Sequence, residues 1–175
     1  VRAFGLEFAN PVGLAAGYDK DGQAMLGLAC LGFGHLEMGT VTLEPQRGNI
    51  RPRVFRLVED QALINRMSFP NQGVARLLKR LQSRPSDIVL GINIGKSADT
   101  LIEEASRDYT QLMELVYESA DYLAVNVSSP NTIGLRELQG HHYLEGLLSD
   151  LSKTRARLIA ESGKRRPVLV KLAPD

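Results

Sequence analysis

The sequence predicts an α/β fold built on a parallel sheet, and three observations carry that reading. Short apolar runs alternate with longer amphipathic ones, the pattern of successive strand–helix units. One of the short runs, DIVLGINIG, is apolar almost throughout, as expected of a strand covered on both faces. Each run ends in small or polar residues, and in a parallel sheet with right-handed crossovers all such ends lie on one side. A barrel or a doubly wound sheet fits these features better than a sandwich does.

Five runs read as strands: NPVGLAAG (10–17), FGHLEMGTVT (33–42), DIVLGINIG (87–95), YLAVNVSS (122–129) and PVLVKLAP (167–174). The stretch 43–70, after the second of them, is too long for an ordinary strand–helix loop. Its RPRVFRL and QALINR runs alternate apolar with polar residues, which predicts an inserted hairpin over the site. In NQGVARLLKRLQ the apolar Val74, Leu77, Leu78 and Leu81 recur at helical spacing, as do Leu144, Leu147, Leu148, Leu151 and Leu158 later on. Each set is expected to lie on the sheet. The single cysteine, Cys30, excludes an internal disulfide and sits in an apolar helical stretch, so burial is expected.

A composition of 43% hydrophobic and 23% charged residues is that of a soluble globular domain and excludes disorder. Twenty-one basic residues against twenty acidic ones leave a net charge of +1, so no global field points to nucleic acid. Arg47, Arg51, Arg53 and Arg56 form a local basic cluster, open to two readings: a solvated hairpin face, or a docking surface for an anion or a membrane. No window approaches the roughly 18 consecutive apolar residues of a membrane span, and no cleaved leader is legible at the N-terminus. The chain as given is expected neither to cross a membrane nor to carry its own address.

Several motif matches fail on their chemistry. GINIGKS is one residue short of a phosphate-binding loop, and its alternating isoleucines belong to a strand. GFGH precedes a strand instead of following one and lacks the third glycine of a dinucleotide fingerprint. Asn126-Val-Ser128 matches a glycosylation acceptor but falls in a predicted buried strand. A serine hydrolase needs a histidine near its nucleophile, yet His35, His141 and His142 lie away from the predicted strand ends, and no glycine–x–serine–x–glycine elbow occurs. No metal-ligating pattern stands out.

What remains is a site rich in amides and lysines: Lys20, Asn65, Asn93, Asn126, Asn131 and Lys171. Asparagines offer donors and acceptors together, which suits a flat heterocycle with alternating carbonyl and N–H groups. Lysines suit a ligand carboxylate or a cofactor that gains negative charge. Taken singly, each residue is equally at home in a cap or a turn. Taken together, at one end of a parallel sheet, they favour a binding pocket.

AAGYDKDG, GTVT, PQRGNIRPRVFRL, ALINRMSF, GINIGKS, NVSSPNTIGLR and VKLAPD, in this order and spacing, resemble the class 2, quinone-dependent dihydroorotate dehydrogenases over nearly the whole chain. The resemblance implies a TIM (β/α)8 barrel carrying FMN at its C-terminal face, with about five strand–helix units present in residues 1–175. It further implies oxidation of (S)-dihydroorotate to orotate in de novo pyrimidine synthesis, with electrons passed to a membrane quinone. The implied location is peripheral: the cytoplasmic face of a bacterial inner membrane, or the inner mitochondrial membrane in a eukaryote. By motif, Ser129 matches the catalytic base, where relatives using soluble acceptors carry a cysteine. Lys20, Asn65, Asn126 and Asn131 match substrate contacts, with Arg66, Met67, Ser68 and Phe69 in the same substrate loop. Ala16, Gly17, Thr40, Asn93, Asn126 and Lys171 match FMN contacts, Lys171 near the flavin edge that takes up negative charge. Arg56 matches an arginine lining the quinone path.

Two departures from the family pattern follow. Ser68 stands where the family usually has glycine, which permits a positive φ that serine tolerates less well, so the loop backbone is expected to differ there. A closed barrel needs eight strands and typically about 250 residues, so three strands, the usual phosphate site and an N-terminal membrane-touching extension are expected outside this chain. Two rival readings stay open from the residues: a Schiff-base aldolase on the same barrel, with Lys171 or Lys20 as nucleophile, and an inactive half-barrel acting as a scaffold.

Overall fold

The computed structural model describes residues 1–132 and 134–174. Ile133 and Asp175, which fall within two of the motifs above, lie outside the described residues. An N-terminal hairpin comes first, β1 (Arg2–Ala3) against β2 (Leu6–Glu7), antiparallel; it is too short to leave a sequence signal. The five predicted strands follow as β3 (Gly13–Leu14), β4 (His35–Val41), β7 (Val89–Ile94), β8 (Tyr122–Asn126) and β9 (Val168–Lys171). They form one parallel sheet in the order β3-β4-β7-β8-β9, so chain order is preserved across the sheet. The predicted hairpin is β5 (Val54–Leu57) against β6 (Ala62–Asn65), with every residue of both strands exposed.

Period-two alternation gives the sheet two unlike faces. Leu36, Met38 and Val41 from β4, Leu90, Ile92 and Ile94 from β7, and Leu123 and Val125 from β8 face the helices and are fully buried. Burying each such side chain is worth about 1.5–3 kcal/mol. The helices over that face are α1 (Met25–Ala29), α2 (Val74–Leu81), α3 (Ala105–Val116) and α4 (His141–Ser162). Tyr109, Leu112, Met113 and Val116 bring α3 into the core at helical spacing. Asp19 holds the turn ahead of α1 by accepting from the backbone N–H of Gln23 and Ala24, both at 2.8 Å. Gly163 ends α4 in the left-handed conformation, φ 70°, donating its N–H to the Ile159 carbonyl.

Two burial expectations are corrected. Cys30 is exposed: α1 is barely more than one turn long and turns Met25 and Leu28 inward, so two residues on, about 200° around the axis, the chain faces solvent. Leu148 is 39% exposed because the buried stripe of α4 runs through Leu147 and Leu151.

The opposite face of the sheet is polar. His35, Glu37, Asn93, Tyr122 and Asn126 point there, and two glycines make room for them. A Cβ on Gly13 would lie 1.9 Å from the His35 ring, and one on Gly91 would lie 2.1 Å from the Tyr122 ring. Between Met38 and Val41 the register against β7 slips, a bulge that adds one residue to β4. The bulge turns Thr40 to the same face as Glu37, against Asn93.

Candidate active site

The C-terminal ends of β3, β4, β8 and β9 surround a cleft of about 360 Å³. Ala16, Gly17 and Lys20 line it from the turn after β3, Thr40 from the bulge in β4, Asn126 from the end of β8, and Lys171 from the end of β9. Ser128, Ser129, Pro130 and Asn131 enter from the loop after β8, and Asn65, Met67, Ser68 and Phe69 from the segment after β6. Of the expected substrate and cofactor contacts, only Asn93 and Arg66 are not on its wall. Asn93 is fully buried directly beneath, and Arg66 turns away, donating to the Pro52 carbonyl with its guanidinium over the Phe55 ring. Arg56 is exposed on β5, opposite Leu63, and no histidine lines the cleft.

The floor is a closed set of amide and hydroxyl bonds. Thr40 Oγ1 donates to Asn93 Oδ1 at 2.5 Å, and Asn126 Nδ2 donates to Thr40 Oγ1 at 2.9 Å. Asn126 Oδ1 accepts from both the backbone N–H and the hydroxyl of Ser128, at 3.1 and 3.0 Å. From the helix side, the Tyr109 hydroxyl donates to the Asn126 carbonyl at 2.7 Å. Burial drives the Tyr109 pKa upward, which keeps it a donor. Buried polar groups are tolerable only when satisfied in this way.

The rim is looser. Asn131 Nδ2 donates to Asn65 Oδ1 at 3.2 Å, joining the β8 loop to the hairpin. Ser129 Oγ accepts the Asn131 backbone N–H at 3.3 Å, so the lone-pair side of the hydroxyl is held, and its hydrogen is donated to no other described residue. Ser68 and Phe69 both take positive φ, 55° and 46°: the loop keeps the glycine-type backbone although a serine occupies it. Gln46 clamps this turn by donating to the Ser68 and Phe69 carbonyls, both at 3.1 Å. Lys20 Nζ donates to the Gly17 carbonyl at 2.6 Å, and its pKa is lowered, chiefly because burial strips water from the ammonium; Asp21 offsets this in part.

A protein-family model described as Dihydroorotate dehydrogenase matches residues 1–175. The chain belongs to the dihydroorotate dehydrogenase family. It is 58% identical over 174 residues to the dihydroorotate dehydrogenase (quinone) of Xanthomonas campestris pv. campestris (strain B100), covering 99% of this chain and 50% of that protein. To the protein of the same name from Shewanella frigidimarina it is 51% identical over 175 residues, covering 100% of this chain and 52% of the relative. The chain thus spans about half the length of the curated relatives it matches. Ligand-free dihydroorotate dehydrogenase from Eimeria tenella superposes with a TM-score of 0.91 at 41% identity, covering all of this chain and 54% of that one. The Eimeria tenella enzyme in complex with ferulenol gives 0.88 at 40% identity, covering 98% and 51%. The parallel sheet is accordingly part of a TIM barrel, and its polar face is the barrel interior.

The cleft fits the flavin that a dihydroorotate dehydrogenase implies. Gly17 has φ 108° and nothing within 4 Å of where its Cβ would stand, so the backbone after β3 offers a bare, open ledge to a flat ring. Ala16 and Gly17 would carry that ring, with Thr40, Asn126 and Lys171 at its edge. Sequence reasoning missed Ser128, Gln46, Glu37 and Tyr122. Ser128 sits in the quoted motif beside Ser129. Glu37 had a legible signal, since it alternates with the outward Leu36 and Met38, which puts a carboxylate inside the barrel. Gln46 had none, because its partners lie more than twenty residues away.

Proposed function

We propose that this chain supplies the substrate contacts and the flavin-ring contacts of an active site that oxidises (S)-dihydroorotate to orotate, with FMN as hydride acceptor and a membrane quinone as final electron acceptor. The observation that carries the reading is the convergence, on one cleft, of Ser129, the Asn65–Asn131 pair, Lys20 and Lys171 beside the open ledge at Gly17. When bound, FMN supplies the two-electron acceptor for the hydride leaving substrate C6. Ser129 takes the proton from C5 as its own hydroxyl hydrogen passes to solvent water, so the substrate loses one proton and one hydride. Asn65 and Asn131 hold the pyrimidine by its amide edges, each with a donor and an acceptor. Lys20 pairs with the substrate carboxylate, and Lys171 stabilises charge developing opposite it.

The rival Schiff-base reading draws only on the lowered Lys20 pKa, and the bond from Lys20 Nζ to the Gly17 carbonyl ties that amine down. A quinone acceptor brings the parent protein to a membrane surface as a peripheral protein. No helix among the described residues is long and apolar enough to cross one. Arg56, on the exposed hairpin, is assigned to the quinone path.

The test is single-turnover flavin reduction in the full-length protein. Ser129→Ala is expected to slow it by about 10²–10⁴-fold, the scale of a positioned acid or base, with little change in substrate affinity. Ser129→Cys should keep part of the rate and gain a pH dependence nearer neutrality, because a thiol titrates there. A near-normal rate in the alanine variant would sink the assignment.

A further inference from the structure

Beneath the cleft floor, Glu37 faces the barrel interior with both oxygens occupied as acceptors. Asn93 Nδ2 donates to Oε1 and the Tyr122 hydroxyl donates to Oε2, each at 2.9 Å. Burial and the neighbouring Glu37 push the Tyr122 pKa upward, so the phenol stays protonated and donates. Only a carboxylate offers two acceptors in this place; a side-chain amide offers one acceptor and one donor.

That choice propagates. Because Asn93 turns Nδ2 down to Glu37, its Oδ1 must face up, where it accepts from Thr40 Oγ1 at 2.5 Å and from Asn126 Nδ2 at 3.3 Å. Thr40, its hydrogen spent, can only accept from Asn126 Nδ2. Asn126 therefore turns Oδ1 to the loop and takes both donors of Ser128, the residue next to Ser129. The bonds in the sequence Tyr122, Glu37, Asn93, Thr40, Asn126, Ser128 run in one consistent direction, held at the lower end by the carboxylate, which can only accept, and at the loop end by the Ser128 backbone N–H, which can only donate.

Resting on the functional reading above, we infer that Glu37 is a positioning residue: its carboxylate fixes the amide orientation of Asn93 and Asn126 and, through them, the seat of the loop that carries Ser129. Nothing in this role requires Glu37 to touch substrate or flavin. Its leverage is that a carboxylate cannot donate, so Asn93 can meet it only through Nδ2. Glutamine lifts that constraint: it holds Asn93 in place only if its amide turns to donate to the Tyr122 hydroxyl, and in its other orientation it lets Asn93 rotate by half a turn at no cost in shape. Asn93 Nδ2 then meets Asn126 Nδ2, donor against donor, and a compensating rotation of Asn126 leaves both Ser128 donors without an acceptor.

The experiment is a double-mutant cycle in the full-length flavoprotein, Glu37→Gln with Ser128→Ala, read by dihydroorotate-driven flavin reduction, FMN dissociation and the side-chain amide NMR signals of Asn93 and Asn126. Each single change is expected to slow reduction by about tenfold, and the pair by little more than either alone, because both break one chain of bonds. The amide signals of Asn93 and Asn126 should move in Glu37→Gln while that of the rim residue Asn131 stays in place, and quinone-driven reoxidation should stay within about twofold. Independent effects that multiply to about a hundredfold, or unmoved amide signals, would overturn the inference. If Glu37→Gln does not yield folded protein, Tyr122→Phe with Ser128→Ala forms a second cycle on the same chain, with the same expected coupling, and multiplicative effects there overturn it equally. An unmodified full-length protein that dihydroorotate does not reduce would instead overturn the functional reading, leaving the amide signals and FMN dissociation to decide the role of Glu37.

Discussion

The floor of the cleft and the segment that follows the hairpin line the same cleft but are held by opposite means. The floor is made of strand ends whose outward sides are fully buried and whose inward polar atoms are paired with one another. The hairpin has no buried residue in either strand; its own ladder holds it, together with side chains that reach backbone carbonyls at its base: Arg53 to Arg47 and Asn49, Arg66 to Pro52, Gln46 to Ser68 and Phe69. Few buried apolar contacts place a segment at the low end of local stability. The difference teaches that orientation in this site is set from below, by packing and an amide network, while the upper contacts are free to adjust as a ligand enters.

The largest expected effect tests this contrast at two isoleucines. Ile92 in β7 is fully buried, whereas Ile64 in β6 is 55% exposed. Ile92→Ala should cost about 2–5 kcal/mol in denaturant unfolding, the transfer term plus a cavity the sheet cannot close. Ile64→Ala should cost less than about 0.5 kcal/mol, the range of surface substitutions. Comparable losses would mean that the hairpin belongs to the cooperative core.

A second comparison sets two asparagines of the site against each other. Asn126→Ala removes the donor to buried Thr40 and the acceptor of both part-buried Ser128 donors, at about 1–3 kcal/mol for a buried group left unsatisfied. Asn65 is exposed and its bond to Asn131 competes with water, so Asn65→Ala should leave the melting curve nearly unchanged while weakening dihydroorotate binding. Thermal unfolding alongside substrate titration separates the two, and a large stability loss in the Asn65 variant would break the distinction between floor and rim.

This asymmetry also governs how much was legible in the residues alone. The five strands and their polar ends were readable because a buried strand cannot hide its apolar run, and the inserted hairpin was readable from its alternation. Cys30 and Leu148 were misplaced because helical spacing says which residues share a face, but the length of α1 and the register of α4 decide which face meets the sheet. The residues on the cleft wall came with the motif, yet the network below them did not. Glu37 and Tyr122 are 85 positions apart, and Gly91, which makes room for their bond, reads in sequence as an ordinary strand glycine.

A smaller effect separates the lysine of the rim from the charges of bulk solvent. Lys20 must be an ammonium to hold a carboxylate, and its pKa is lowered by burial, so that charge is lost at a lower pH than for an ordinary lysine. In the full-length protein kcat/KM for dihydroorotate should therefore fall on the alkaline side before the usual lysine range is reached, since this ratio reports the free protein. Lys20→Arg, which stays charged throughout, should remove that alkaline decline even if it lowers the plateau. A decline that persists unchanged in the arginine variant would assign the titration to another group.

The smallest expected effect lies where floor and hairpin meet, at Ser68. Its φ of 55° is left-handed, which costs a side-chain-bearing residue about 1–2 kcal/mol relative to glycine. Glycine returns about 0.5–1 kcal/mol of that through the greater entropy of its unfolded chain. The hydroxyl adds little, since its nearest partner, Thr132 Oγ1, stands at 3.5 Å, the long limit of a hydrogen bond. The backbone bonds that hold the turn, from Gln46 to the Ser68 and Phe69 carbonyls, do not depend on the side chain. Ser68→Gly should thus raise stability by no more than about 1 kcal/mol and leave substrate affinity unchanged. Ser68→Val, with a β-branched side chain in the same conformation, should lower it instead. A loss of stability in the glycine variant would show that the contact with Thr132 outweighs the backbone strain, and would move Ser68 from the adjustable rim into the fixed floor.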